Sequence, residues 1–427
     1  MYIRRDQSNL HFGRQGRRRG GKTLFIVWLI TMGIAIAIIW RFNSVQSWVL
    51  ASVNGSSTAT PDAVTLAQLG ERAYWQGDLE TAIDYYGQAA RLEPNNIDIQ
   101  FEYGRVLIYR SYGGRSYEYL AEEALQVAQQ AVEIAPDNTR AQAILAFALL
   151  ENGRYEEAIQ AGLRATQLDV NYAEAHAYLS MAYFQAGRPR QAFDEGDLAV
   201  QKNPNSVDAR RALALSLSFV GEWNAAIQQY EMAIQIHPRL YALYFELAPY
   251  YIIQDNYDAA IAAFDRVLAM EPNNVKAYTR KCETYFRQRD DSRAQEACEQ
   301  ATELDKTYPE AWRQLGMVQY AKRNYEGAIE SFQTCINLQT EQGIPLEKQE
   351  IECYYIQGLS WALLAHCEKA WPNLQTALTM NPSETVKGFI NTGLQSCVGT
   401  EEDEFSADQI PTPIPPTPVP PEPIGIY

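Results

Sequence analysis

One small residue returns along this chain with a nearly fixed step: alanine stands at positions 82, 124, 158, 192, 226, 260, 294, 328 and 370. The step is 34 residues through the middle of the chain and 42 at either end, so two stretches of eight extra residues interrupt an otherwise regular period. Proline keeps the same frame at Pro136, Pro204, Pro238 and Pro272. A unit of this length holds one pair of helices, which cannot bury its own apolar face and must lean on the next pair. The small residue is needed where two helices approach closely. The period therefore predicts an array of about nine stacked units over residues 63–384. With 47% hydrophobic and 21% charged residues, the chain has the material for a packed core, which excludes a wholly disordered or collagen-like polymer.

The clearest copy of the unit begins at Trp312, where Trp312, Leu315 and Gly316 form W-x-x-L-G and Ala328 and Phe332 follow at matching offsets. This resembles the tetratricopeptide repeat, with Gln319 standing where the pattern has tyrosine and Tyr320 one place late. The resemblance implies that the array is an all-α, right-handed superhelical solenoid of helix hairpins, with the interruptions falling near Gly113 and Gly114 and around Gly343 and Pro345. Val386, Phe389, Ile390 and Leu394 have helical spacing, and residues 385–397 are expected to form a capping helix.

In the family, the first helix of each hairpin lines a concave groove that binds peptides. Carried over position by position, that lining comprises Tyr74, Phe101, Arg105, Phe147, Met181, Phe184, Arg211, Leu215, Phe245, Phe286, Arg313, Met317, Tyr320 and Tyr355. Such a lining suits a protein or peptide partner, with apolar anchors in pockets and ligand carboxylates on the arginines. The Lys/Asn/Lys/Arg constellation with which some members clamp a terminal carboxylate is supplied by no adjacent repeat pair. Pro249 falls inside a first helix, where the missing N–H favours a kink. The same frame brings three cysteine pairs near one another, Cys282 with Cys298, Cys335 with Cys353 and Cys367 with Cys397. Either three disulfides or six small buried thiols satisfy it.

Charge is distributed unevenly. Residues 1–41 carry net +7 within a chain of net −16, so the body is strongly acidic and unsuited to nucleic acid. Residues 23–40 contain no charge and would span about 27 Å as a helix, which predicts one transmembrane segment. A basic segment, 1–22, precedes it with Arg4, Arg5, Arg14, Arg17, Arg18, Arg19 and Lys22, against Arg41 alone behind, which places the amino terminus in the cytoplasm and the solenoid outside the cell membrane. A cleaved signal peptide is the alternative, although the apolar run is long for one and no A-x-A follows directly. Gly16 to Thr23 also match G-x-x-x-x-G-K-[ST], but no strand precedes them and an apolar span follows, so phosphate binding is not expected.

Residues 41–62 read as a Ser/Thr-rich spacer, and 398–427 as an acidic, Pro-rich disordered tail of the kind found in exported bacterial proteins. His11, His176, His237 and His366 are scattered and lie in no H-E-x-x-H context, and no metal or cofactor is expected. The sequence thus points to a non-catalytic, membrane-anchored adaptor. The alternative is an accessory subunit of a cell-envelope enzyme whose activity lies in a partner.

Overall fold

A computed structural model describes Met32 and residues 61–398. The predicted transmembrane segment (Met32 apart), the basic segment, nearly all of the spacer and the tail from residue 399 lie outside the described residues. Among the described residues, no helix is long and apolar enough to cross a membrane.

The described chain is all α-helical apart from two short 3-10 turns, and its first eighteen helices pair into nine consecutive hairpins. Hairpins 1 to 3 comprise α1 (Ala63–Gln76) with α2 (Leu79–Leu92), α3 (Ile97–Ser111) with α4 (Tyr119–Ile134), and α5 (Thr139–Glu151) with α6 (Tyr155–Leu168). Hairpins 4 to 6 pair α7 (Ala173–Gln185) with α8 (Pro189–Lys202), α9 (Val207–Phe219) with α10 (Trp223–Ile236), and α11 (Tyr241–Ile253) with α12 (Tyr257–Met270). Hairpins 7 to 9 pair α13 (Val275–Arg287) with α14 (Asp291–Leu304), α15 (Pro309–Ala321) with α16 (Tyr325–Glu341), and α17 (Ile351–Leu363) with α18 (Cys367–Thr379). A final helix, α19 (Glu384–Ser396), packs on α17 and α18.

Local chemistry sets these boundaries. Asp62, Asp78, Asn96, Asn138, Ser206 and Asn274 each accept a hydrogen bond from a backbone N–H in the first turn of the helix that follows. The recurring alanines are all fully buried at the helix–helix contact, which leaves no room for a longer side chain. Gly316 acts in the same way on the facing helix, since a Cβ there would lie 2.8 Å from the Phe332 ring. Pro249 is accommodated without ending its helix, which continues to Ile253.

The two extra stretches leave the hairpins as short excursions. The first contains the turn Arg115–Tyr117 between α3 and α4, and the second contains the turn Leu346–Lys348 before α17. The apolar core is divided as well. One large cluster runs from Ala73 to Ala277 and another from Cys282 to Ile390, so the seam between them falls within α13.

Candidate partner-binding surface

The concave side is built from the first helix of each hairpin, and most of its expected lining is buried by the chain itself. Tyr74, Phe101, Phe147, Met181, Phe184, Arg211, Leu215, Phe245, Phe286, Met317, Tyr320 and Tyr355 are all buried. Arg105 and Arg313 retain about a sixth of their side-chain surface, 16% and 15%. Twelve of the fourteen expected side chains are thus covered by the chain itself, while Arg105 and Arg313 stay partly open, because the solenoid coils tightly enough for hairpins 1 and 2 to close against hairpins 5 to 8.

The axis of hairpins 1 to 6 is filled by a polar and aromatic network. Asp208 is buried and accepts hydrogen bonds from the Tyr109 hydroxyl and, at 3.0 Å, from the Tyr178 hydroxyl. Arg211 is equally buried and donates through Nε to Glu246 at 2.9 Å and through Nη2 to the Tyr112 hydroxyl at 3.3 Å. The Tyr112 hydroxyl in turn donates to Glu151 at 2.7 Å. Phe147 stacks on Tyr178 with ring centroids 4.3 Å apart, and the Arg105 guanidinium lies 4.8 Å from the centre of the Tyr74 ring. The guanidinium groups were expected to await a ligand's carboxylates. Asp208, Glu246 and Glu350 supply them from within the chain, because removing an arginine from water without a partner would cost several kcal/mol. Burial pushes the Glu151 carboxyl up to about 7, against the opposing Tyr112 hydrogen bond and Arg211.

Hairpin 1 is closed onto the end of hairpin 5 by His237. Its Nε2 lies 2.9 Å from the Tyr74 carbonyl, and its ring stacks on Trp75 at 4.8 Å. Burial pulls the imidazole pKa down to about 4, so the ring is neutral at pH 7 and Nε2 carries the proton donated to that carbonyl. Hairpin 2 is closed by Arg110, which reaches Glu80 at 2.7 Å, Glu271 at 3.0 Å and the Tyr241 hydroxyl at 3.1 Å.

A different surface emerges along hairpins 7 to 9. Arg280 keeps half of its side chain exposed and pairs with Glu283 at 2.9 Å, while Glu283 also meets Arg287 at 2.8 Å. Burial would raise the Glu283 carboxyl, but Arg280 and Arg287 outweigh it and hold the pKa down to about 2. Arg313 lies 3.4 Å from Glu350, and Lys276 donates to the Tyr112 carbonyl at 3.1 Å. Burial, with Arg280 nearby, lowers the Lys276 pKa to about 8. This wall can offer paired charges to a polypeptide, which the sealed axis cannot. Arg313 was among the expected lining residues, whereas Lys276, Arg280, Glu283 and Arg287 were missed, because apolar and arginine side chains alone were taken from the inward rows. The detectable signal was the alternation Lys276, Arg280, Glu283, Arg287 on one helix, at spacings of three and four.

The cysteines all lie in this region. The structure joins Cys282 to Cys298 within hairpin 7, Cys335 to Cys353 across the second extra stretch, and Cys367 to Cys397 between hairpin 9 and the end of α19.

Profiles of the tetratricopeptide repeat match residues 119–182, 211–275, 251–315 and 309–342. No curated protein matches the sequence. Among solved structures, the chain is similar to the Cut9–Hcn1 hetero-tetramer of the APC/C at 14% identity and TM-score 0.49, covering 85% of this chain and 82% of that one. It is also similar to the human IFIT1 dimer with PPP-AAAA at 16% identity and TM-score 0.48, over 75% and 83% of the two chains. A tetratricopeptide repeat protein from Parabacteroides merdae gives 19% identity and TM-score 0.38, over 60% and 98%. Residues 119–182 and 211–342 are thus recognised as tetratricopeptide repeats, and the described residues form an all-α helical repeat solenoid.

Proposed function

We propose that the protein is a non-catalytic, membrane-anchored scaffold that holds a protein partner against the charged wall of hairpins 7 to 9. Tetratricopeptide repeats generally serve as protein-interaction scaffolds. The observation that carries the reading is the row Arg280, Glu283, Arg287 and Arg313, its arginines paired with carboxylates and reached by solvent at Arg280. Partners for such a wall carry both signs of charge in an extended or helical segment, matched pair by pair.

The anchor is the uncharged run 23–40, with the basic cluster on the cytoplasmic side and the solenoid outside. Three disulfides support that placement, since such bonds persist in oxidising compartments.

Pull-down from detergent-solubilised membranes tests the surface. The double variant Arg280→Glu/Arg313→Glu should lose the partner while keeping wild-type helix content; unchanged capture removes the wall from consideration. A catalytic subunit recovered at fixed stoichiometry would make the protein an accessory subunit of an envelope enzyme. Protease added to intact cells should degrade the solenoid, and protection until the cells are opened would reverse the topology.

A further inference from the structure

The first extra stretch follows α3, leaves hairpin 2 and runs along the loops that open hairpins 7 and 8. Asn274 Nδ2 lies 3.5 Å from the Gly113 carbonyl, at the limit of a hydrogen bond, and the Lys276 ammonium reaches the Tyr112 carbonyl at 3.1 Å. Further along, Arg115 pairs with Glu310 at 3.3 Å and hydrogen-bonds the Gln342 side chain, which itself donates to the Thr307 carbonyl at 2.8 Å. The stretch is held at its root, where the Arg110 guanidinium lies 3.5 Å from the centre of the Tyr117 ring. A cleft of about 460 Å³ remains between Arg115, Glu118, Tyr308, Gln342 and Ile344.

The contacts of Asn274 and Lys276 stay on the near side of the seam in the core, and those of Arg115 cross it. The largest apolar cluster ends at Ala277 and the next begins at Cys282, and α13 joins them with a largely polar sequence, V-K-A-Y-T-R-K-C-E-T-Y-F-R. Little apolar surface therefore resists rotation there, whereas each flanking cluster is closely packed. Arg115 is attached to the first body through hairpin 2, and both of its partners, Glu310 and Gln342, belong to the second.

We infer that residues 113–118 are a strap that holds hairpin 8 closed on hairpin 2, and that its release lets the C-terminal body swing about α13. The conformation of the strap is set by Gly114 at φ 130°, where a Cβ would meet no atom and the requirement for glycine lies in the backbone alone. Release would widen the approach to Arg280 and Arg313, because the strap lies beside Lys276 and Glu310 at the start of the two helices that bear them. The inference concerns closure and stands whether or not that wall binds a partner.

Hydrogen exchange of the full-length protein in detergent, read by mass spectrometry, provides the test. Arg115→Ala should speed exchange at residues 113–118, 305–310 and 342–348 by about threefold, the scale of losing one partly exposed ion pair, with α5 to α10 unchanged. The swap Arg115→Glu/Glu310→Arg should return those rates towards wild type. Gly114→Ala, which strains the strap without a clash, should reproduce the Arg115→Ala pattern. Wild-type rates at 305–310 in both Arg115→Ala and Gly114→Ala would overturn the strap, as would a swap no slower than the single variant.

Discussion

Hairpins 1 to 6 close around buried ionisable groups, with Asp208, Arg211 and Glu246 each almost inaccessible to water, whereas hairpins 7 to 9 contain all three disulfides and leave their charged wall partly wet. The turn chemistry divides along similar lines. Between the paired helices, the residue with left-handed φ is Gly77, Gly153, Gly187 and Gly221 in hairpins 1, 3, 4 and 5, but Asp255, Arg289, Arg323 and Ala365 in hairpins 6 to 9. Backbone strain is thus concentrated where covalent links are present or adjacent, and removed where noncovalent pairing must suffice. Equal repeats along one chain need not be held by equal means.

Reduction should separate the two regions most sharply. The bridges close loops of 16, 18 and 30 residues, and constraining the unfolded chain stabilises by about 3 kcal/mol for each. Reductant should therefore raise hydrogen exchange throughout hairpins 7 to 9 by orders of magnitude before hairpins 1 to 6 respond. A uniform rise would abolish the distinction.

Next in size is the axial pair. Arg211→Ala leaves Glu246 buried and uncompensated and should cost about 3–5 kcal/mol in urea unfolding, read in hairpins 1 to 6. The paired change Arg211→Met/Glu246→Leu should recover most of that loss. A loss below about 1 kcal/mol for the single variant would mean that the axis is wetter than its packing indicates.

In the N-terminal region acid acts in two opposed directions, stabilising through Glu151, whose folded pKa is raised, and destabilising through His237, whose share a substitution isolates. With the folded pKa lowered to about 4, unfolded chains bind more protons between there and about 6.5, so this stability is complete above pH 6.5 and is lost as pH falls towards 4. The loss approaches about 1.4 kcal/mol for each pH unit inside that window. Circular dichroism of His237→Gln against wild type should show a gap in stability that narrows as the solution is acidified. A constant gap would show that the ring does not titrate there. The smallest effect belongs to the turns: Ala365→Gly should stabilise hairpin 9 by about 0.5 kcal/mol, because glycine adopts φ 60° freely. Destabilisation instead would show that the Ala365 methyl packs usefully.

The all-α repeat architecture was readable because its determinants are local. The buried alanines recur with the hairpin, and the Gly316–Phe332 contact lies within one unit. The closing contacts were not readable, because their partners lie far apart in sequence: 99 residues between Tyr109 and Asp208, 163 between Tyr74 and His237, and 227 between Arg115 and Gln342. Superhelical pitch decides which of these meet, and pitch accumulates from small rotations that no single repeat encodes. The lining was misjudged for the same reason. Phe147 and Arg211 do face inward, but periodicity records a direction and cannot say whether another turn of the coil already occupies the space.

Contacts between hairpin 2 and hairpins 5 to 8 also remove a freedom that open arrays enjoy. Where units touch only their immediate neighbours, a duplication or loss in mid-array changes length and little else. Here, one unit more or fewer between Tyr109 and Asp208 would present a different hairpin to every cross-turn partner at once. The number of repeats is as constrained in this chain as a residue in a core, and only at the ends can a unit be added without shifting these contacts.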